Sequence, residues 1–291
     1  MAAFAAALNA TTSTGSLLNQ EQLDQLPKES FWESGELYQW EGFWYRPSLL
    51  QGSSSSHGSL ENDELLVKNR HSIIKSLEYI FGVFNGTPDD LSAMPSPRLF
   101  HTHVPYSVVP DSIKNSECKI VYLYRNPKDT LISSRHFFNK VLRQPNEEPY
   151  PLEKAYDGFC RGVHPFGPFF YHALQYWNES LKNPEKILFL KYEDLKGDPE
   201  GEVKKLASFL GRPFENKQEI EKVLWKSSLE RLKILDVNKD DSRSIVPIPT
   251  SSFFRRGVVG DWKNYLTEEM EQGLDQITCI KLEGSGLYSD I

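Results

Sequence analysis

The chain has 291 residues, of which 39% are hydrophobic and 25% charged, so it is long enough to bury a full core. One large domain is the first interpretation, although the length also permits two. The net charge of -7 argues against a general nucleic-acid binder, and no window approaches the roughly 18 apolar residues of a membrane-spanning helix.

The three cysteines, Cys118, Cys160 and Cys279, are odd in number and lack the spacing of metal ligands. They are interpreted as reduced thiols of an intracellular protein, and no metal is expected. The apolar start of the chain is short, with no basic residue ahead of it, so secretory and organellar leaders both fit poorly. We therefore expect a cytoplasmic protein whose residues 1–28 are disordered.

Residues 29–291 are predicted to form a single domain. Its first part, residues 31–50, is dense in aromatic side chains, which could line a pocket for a flat ligand. Packing over the core is the favoured alternative. Glycine and serine then dominate the chain, and residues 52–63 are predicted to be a flexible loop.

Two strand-and-helix units follow. Residues 119–124 form a nearly unbroken apolar run, as expected of a strand buried on both faces, and Thr130 to Leu142 carries a helical stripe. Residues 186–190 form a second such strand, and Asp198 with Pro199 opens a helix that closes at Gly211. This alternation predicts an α/β fold with a parallel sheet flanked by helices.

Basic and hydroxyl side chains follow the first of these strands. Arg125 ends it, and Ser133 lies eight residues later in the first turns of the next helix. Ligands of open α/β sheets collect at the carboxyl ends of strands, where a guanidinium fork and a hydroxyl suit a phosphate. The alternative is that Arg125 pairs with a surface carboxylate.

A second basic turn lies far along the chain. Arg255 and Arg256 precede Gly257 and Gly260, so exposed backbone N–H groups lie beside two guanidinium groups. A glycine pair alone is often only a turn, but with the arginines the pattern favours an anion cradle. A nucleotide that carries phosphate is the leading ligand.

Two further features have a local and a functional interpretation. His103 follows a short strand at residues 98–102, a position suited to a general base, although a single histidine is more often structural. Ser227 with Glu230 is predicted to form a capping box for the short helix that follows.

Several segments, taken in order, resemble the cytosolic sulfotransferases, especially those of plants. The resemblance covers most of the chain from about Leu37 onward. The segments that carry it are 97–106, 119–129 with Ser133, 167–169, 189–195 and 256–264.

The resemblance implies a P-loop-like sulfotransferase fold and the donor 3′-phosphoadenylyl sulfate (PAPS), whose sulfuryl group goes to a hydroxyl of a small acceptor. His103 falls on the catalytic base of the family. Arg125 and Ser133 match family residues that contact the donor's 3′-phosphate. A loop near the C-terminus of the family contacts the same phosphate. The implied loop residues are Arg255, Arg256 and Gly257.

The resemblance also places Tyr192, Ser227 and Leu229 near the adenine nucleotide. Family acceptors are small hydroxylated metabolites of the flavonoid, steroid or hydroxyjasmonate class. The sequence selects none of them, and it fixes no oligomeric state.

One part of the family pattern is absent. After Gly52 the family continues with a strand, a Lys-Ser/Thr-Gly-Thr loop and a helix, and no such loop occurs anywhere in the 291 residues. That loop holds the donor's 5′-phosphosulfate, so we expect turnover to be impaired. The lost strand would lie within the sheet, and its neighbours are expected either to close up or to remain as unpaired edges.

Three functions remain open from the sequence. The first is a PAPS-dependent sulfotransferase. The second is an impaired relative that keeps the 3′-phosphate half-site and only binds nucleotide or pairs with a paralogue. The third is a truncated or mis-predicted gene product without a function of its own.

Overall fold

The computed structural model describes residues 2–6, 18–51, 74–80, 98–144, 146–239 and 248–288. The predicted flexible loop at residues 52–63 lies outside the described residues. Within the segment for which disorder is predicted, Ala2–Ala6 form a strand and Gln20–Asp24 a helix, against that prediction. The remainder of the segment up to residue 17 lies outside the described residues, and the domain boundary near Lys28 stays a prediction.

The strands lie in two sheets. They are β1 (Ala2–Ala6), β2 (Lys28–Ser30), β3 (Glu36–Trp40), β4 (Phe43–Tyr45), β5 (Lys75–Ser76), β6 (Leu99–Thr102), β7 (Lys119–Tyr124) and β8 (Ile187–Lys191). The larger sheet has the order β5-β6-β1-β7-β8, and the smaller one has the antiparallel order β2-β3-β4.

The α-helices follow and precede these strands along the chain. They are α1 (Gln20–Asp24), α2 (Pro47–Gln51), α3 (Leu77–Ile80), α4 (Asp111–Lys114), α5 (Pro127–Leu142), α6 (Leu152–Cys160), α7 (Phe169–Lys182), α8 (Tyr192–Gly197), α9 (Pro199–Phe209), α10 (Lys217–Ser227), α11 (Leu229–Ile234), α12 (Asp236–Lys239) and α13 (Glu268–Leu282). None of the helices in the described part of the chain has the length and apolar character needed to cross a bilayer.

The predicted parallel pairing is confirmed where the sequence placed it. β7 pairs in parallel with β8 as predicted, and β5, which was not predicted, also pairs in parallel with β6. β1 was not predicted, and it lies antiparallel between β6 and β7. β1 therefore pairs with the facing edges of both β6 and β7, and the expectation that the neighbours of a lost strand close up or stay unpaired remains a prediction.

The position of β1 also fixes the direction of its neighbours. Since β1 is antiparallel to both, β6 and β7 run the same way and their carboxyl ends lie at one edge of the sheet. Ala3 is the register partner of both Thr102 and Tyr122. With strands about 4.8 Å apart, two strands that flank a common neighbour are separated by roughly 10 Å.

The aromatic segment packs into two cores, as favoured from the sequence. Phe31, Trp32 and Trp44 are buried in the main core with the aromatic residues of β7 and α7. The second core surrounds Phe43 and Tyr45. Both aromatic groups therefore support the domain rather than an open pocket.

Helix α5 begins where the sequence predicted. The side chain of Asn126 accepts a hydrogen bond from the Lys128 N–H at 2.9 Å, and Pro127 occupies the first helical position, where its missing N–H is not needed. The helix therefore starts two residues after Arg125, at the carboxyl end of β7.

Candidate active site

Arg125 is held at the carboxyl end of β7 by two contacts. Its Nη2 donates to the Val258 carbonyl at 3.0 Å, and its guanidinium carbon lies 4.6 Å from the centre of the Tyr192 ring. Its Nε is buried and has no hydrogen-bond partner in the described part of the chain. A buried donor without an acceptor is costly, so the side chain is suited to a ligand that supplies one.

A buried carboxylate joins Arg125 to the second basic turn. Asp129 accepts hydrogen bonds from the Gly260 N–H at 2.7 Å and the Trp262 N–H at 3.1 Å, and it lies 3.8 Å from Arg125 Nη2. Arg125 therefore does pair with a carboxylate, but with a buried one that fixes the turn. The two basic segments meet, as the phosphate interpretation requires.

Asp261 orders the two arginines of the turn. Its carboxylate is 2.5 Å from Arg255 Nη1 and 2.7 Å from Arg256 Nη1. Burial alone would raise the pKa of Asp261, but the hydrogen bond and charge of Arg255 outweigh it, with support from Asn264 and Arg256, and the pKa is lowered. The ionised carboxylate fixes both side chains at one place on the turn.

Gly257 brings the turn against two residues implied by the resemblance. It adopts φ +63°, and an added Cβ would lie 2.6 Å from Leu229 Cδ2 and 3.7 Å from the Tyr192 hydroxyl. Glycine suits this left-handed backbone, and a Cβ here would have to displace the end of the Leu229 side chain. Tyr192, Leu229, Gly257 and Arg125 are thus brought together.

Replacing Gly257 by alanine is expected to weaken nucleotide binding about tenfold, because the methyl group displaces the Leu229 side chain, which is assigned to the adenine side of the nucleotide. The matched control is Gly260→Ala, since Gly260 has φ +80° and an added Cβ would meet nothing within 4 Å. Both variants carry backbone strain of about 1–2 kcal/mol. Calorimetric titration with nucleotide separates them, and equal affinities for the two variants would contradict the close approach.

The side-chain hydroxyls of two further residues predicted to contact the nucleotide form no hydrogen bond with the described residues of the site. Ser133 lies half-buried in α5, and Ser227 ends α10 with its hydroxyl donating to the Val223 carbonyl at 2.8 Å. No hydrogen bond within the described ranges links either hydroxyl to Arg125 or to the 255–260 turn. The predicted capping box is wrong: Ser228 is the N-cap of α11 and accepts from the Arg231 N–H at 3.2 Å.

His103 lies just beyond the end of β6, on the same sheet edge as Arg125. Its Nδ1 is 3.4 Å from Glu78 Oε1, and its ring stacks on Phe166 with centroids 5.2 Å apart. The side chain is 41% exposed. An imidazole held on one side and open on the other suits a group that exchanges a proton with a ligand.

The ring of His172 forms a hydrogen bond with the backbone of His103. Its Nε2 is 2.9 Å from the His103 carbonyl, which can only accept, so Nε2 carries the proton and Nδ1 accepts from the Tyr122 hydroxyl at 3.1 Å. Burial lowers the pKa of His172 to about 3. The neutral ring thus has both nitrogens satisfied.

This burial predicts a pH-dependent loss of stability. An unfolded His172 takes up a proton below the ordinary histidine pKa of 6.5, but the folded one stays neutral down to about pH 3. The free energy of unfolding is therefore expected to fall as pH drops through this window, by up to about 1.4 kcal/mol per pH unit from this residue. When the free energy of unfolding is measured with urea at pH 7, 6 and 5, it should fall less steeply with pH in His172→Gln than in the wild type. The same dependence on pH in both proteins would contradict the buried neutral state.

Three carboxylates were not assigned roles from the sequence. Asp129 and Asp261 lie inside segments that carried the resemblance, so their position was visible but their burial was not. Glu78 lies outside those segments and is 4% exposed. Among the described residues, no group of three or more histidine, cysteine, aspartate or glutamate side chains is placed to hold a metal ion.

Comparison with known proteins agrees with this arrangement. Residues 11–286 match the sulfotransferase domain family. Cytosolic sulfotransferase 15 of Arabidopsis thaliana is 38% identical, with 92% of this chain and 86% of the relative covered. Cytosolic sulfotransferase 12 of the same plant is 35% identical, with 96% and 99% covered.

Solved structures show the same likeness. An Arabidopsis thaliana putative steroid sulphotransferase has a TM-score of 0.65 at 29% identity, over 94% of this chain and 99% of that one. Mouse sulfotransferase SULT7A1, solved in complex with PAP, has a TM-score of 0.59 at 31% identity, over 68% and 73%. The family match and the joined basic turns lead to one conclusion: this chain belongs to the sulfotransferase family, as a member of its plant-type cytosolic branch.

Proposed function

We propose that this protein transfers a sulfuryl group from PAPS to a hydroxyl of a small acceptor. The observation that carries the proposal is the contact between Arg125 and Val258, which joins two basic segments 133 residues apart at one edge of the sheet. Three arginines gathered around two buried carboxylates at this edge supply the positive charge and the donors that suit a phosphate.

The residues present fit the nucleotide half of PAPS. The unpartnered Arg125 Nε and the paired arginines of the turn supply charge-assisted donors for a 3′-phosphate. We assign the 3′-phosphate to Arg125, Ser133, Arg255, Arg256 and Gly257, and the adenine side to Tyr192, Ser227 and Leu229.

His103 is proposed as the general base. In the overall reaction the acceptor oxygen forms a bond to sulfur, the bond from sulfur to the donor's phosphate oxygen breaks, and the hydroxyl proton passes to the imidazole. The products are a sulfate ester and 3′-phosphoadenosine 5′-phosphate (PAP). His103 is suited to this step because its backbone and one face of its ring are fixed while the side chain stays accessible.

For the acceptor we propose a small hydroxylated metabolite of the flavonoid, steroid or hydroxyjasmonate class, acted on in the cytoplasm. One structural neighbour is described as a putative steroid sulphotransferase, and related retinol dehydratase was solved with androsterone and PAP. Those neighbours support a small-molecule acceptor without selecting one of the three classes.

A second candidate function is nucleotide binding with little or no transfer. It is favoured by the absence of any Lys-Ser/Thr-Gly-Thr sequence. The alignment to one relative spans 329 positions, more than the 291 residues here, so that relative has residues without a counterpart in this chain. Losing one preorganised donor lowers turnover by about 10²–10³-fold, and losing a whole loop should lower it further.

One experiment separates the two candidates. Sulfuryl transfer is measured with labelled PAPS and mixed phenolic, steroid and hydroxylated-acid acceptors, beside a His103→Ala variant, and PAP binding is measured in parallel. Transfer that disappears in the variant supports the sulfotransferase. PAP binding without transfer supports the second candidate, and neither binding nor transfer would overturn both.

A further inference from the structure

The side chain of Glu78 is buried beneath His103 and is almost completely surrounded by donors. Its Oε1 accepts hydrogen bonds from the Thr102 hydroxyl at 3.1 Å and from the His103 backbone N–H. The same oxygen lies 3.4 Å from His103 Nδ1. Its Oε2 accepts from the Ser76 hydroxyl. The carboxylate therefore connects α3 to the end of β6.

The charge state of Glu78 follows from these contacts. Burial alone would raise its pKa, but the hydrogen bond and charge of the His103 ring, helped by Ser76 and the His103 backbone, hold the pKa at about 2. At neutral pH the group is a carboxylate, which can accept hydrogen bonds but cannot donate them.

We propose that Glu78 is a positioning residue for His103, which fixes the imidazole proton on Nδ1 and leaves Nε2 as the basic nitrogen. A ring nitrogen that faces an acceptor-only oxygen must carry the proton, and the other nitrogen of a neutral imidazole is then unprotonated. The tautomer claim stands on the geometry alone; the use of Nε2 as a base rests on the proposed function.

The other contacts of His103 limit how the ring can escape this arrangement. Its backbone N–H is bonded to Glu78 and its carbonyl to His172 Nε2, while Phe166 lies parallel to the ring. With both backbone groups and one ring face held, rotation of the side chain would break the approach of Nδ1 to Oε1. The ring is thus preorganised before any ligand binds.

The test reads the tautomer directly by ¹⁵N NMR of histidine-labelled protein, with His103→Gln used to assign the signal. Wild-type His103 is expected as the Nδ1–H form at neutral pH. In Glu78→Leu no acceptor faces Nδ1, so the Nδ1–H form loses its hydrogen bond and the Nε2–H form is expected to gain population. The matched control is Ser76→Ala, which removes a hydrogen bond from Oε2 only and should leave the Nδ1–H form unchanged.

The outcomes are separable. An Nε2–H form in the wild-type protein overturns the proposal without any variant, so a Glu78→Leu protein that fails to fold leaves it testable. A folded Glu78→Leu protein that keeps Nδ1–H to the same extent as the wild type also overturns it. If the wild-type enzyme turns over, kcat of Glu78→Leu should drop about 10²–10⁴-fold with KM little changed; loss of transfer in the wild type would count against the proposed function and not against the tautomer.

Discussion

Replacing Arg125 by lysine is expected to weaken PAP binding about 10- to 100-fold, since the charge stays but the fork of donors is lost. Arg125 contacts the Val258 carbonyl, stacks near Tyr192 and holds a buried Nε without a partner in the described residues. A lysine ammonium cannot reproduce these three relations at once. Isothermal titration with PAP measures the change.

The control for Arg125→Lys is Arg212→Lys, which makes the same exchange at an exposed position after α9. Its PAP affinity should equal that of the wild type. Adenosine 5′-phosphate, which lacks the 3′-phosphate, should bind the Arg125→Lys variant and the wild type alike. An unchanged PAP affinity in Arg125→Lys would remove this residue from the site.

Replacing Asp129 by asparagine is expected to lower the free energy of unfolding by about 2–4 kcal/mol. Asp129 is 1% exposed, accepts from the N–H groups of Gly260 and Trp262, and lies near Arg125. An amide cannot accept at both oxygen positions, and the neighbouring guanidinium loses its buried counter-charge. Urea unfolding measures this change in the free energy of unfolding, provided that its dependence on urea concentration is the same in both proteins.

The same substitution should loosen the C-terminal turn. Because Asp129 fixes the turn at Gly260, cleavage by trypsin after Arg255 and Arg256 is expected to become faster in Asp129→Asn than in the wild type. The matched control is Asp194→Asn, at an exposed residue of α8, which should change neither stability nor cleavage. A stable variant with an unaltered cleavage rate would show that the turn does not depend on Asp129.

The sequence was sufficient for the elements whose patterns are local. The apolar run at β7, the proline after it and the stripe of α5 depend on neighbouring residues, and all three lie where they were predicted. The same holds for β8 and for α9, which ends at Phe209, two residues before Gly211 at φ +68°. The prediction that the two basic segments lie close together was also correct. It followed from the expectation that both contact the same phosphate.

The antiparallel strand β1 could not be predicted in the same way. Ala2–Ala6 contain no alternation of polar and apolar residues, and their pairing depends on two strands about 100 residues further on. Strand partners this distant leave no local signal, because the pairing energy arises only after the chain has folded. The helix at Gln20–Asp24 was missed for a simpler reason: its five residues are too few for a periodic pattern.

The basic residues of the candidate site were identified from the sequence, but its buried acidic residues were not. Arg125, Arg255 and Arg256 stood out beside glycine and a strand end, whereas Asp129, Asp261 and Glu78 are ordinary acidic residues in the sequence. Their importance comes from burial, since a carboxylate out of water must collect donors around it. Burial of a polar residue depends on tertiary packing, so only the structure showed which acidic residues organise the site.

The central claim is that Arg125 and Arg256 act on one 3′-phosphate, and the ratio of PAP affinity to adenosine 5′-phosphate affinity tests it most directly. The account predicts that the wild-type protein prefers PAP by about 100-fold or more, and that Arg125→Lys and Arg256→Lys each lower this preference while leaving adenosine 5′-phosphate binding unchanged. Equal affinities for the two nucleotides in the wild type, or a preference that only one of the two variants lowers, would contradict it.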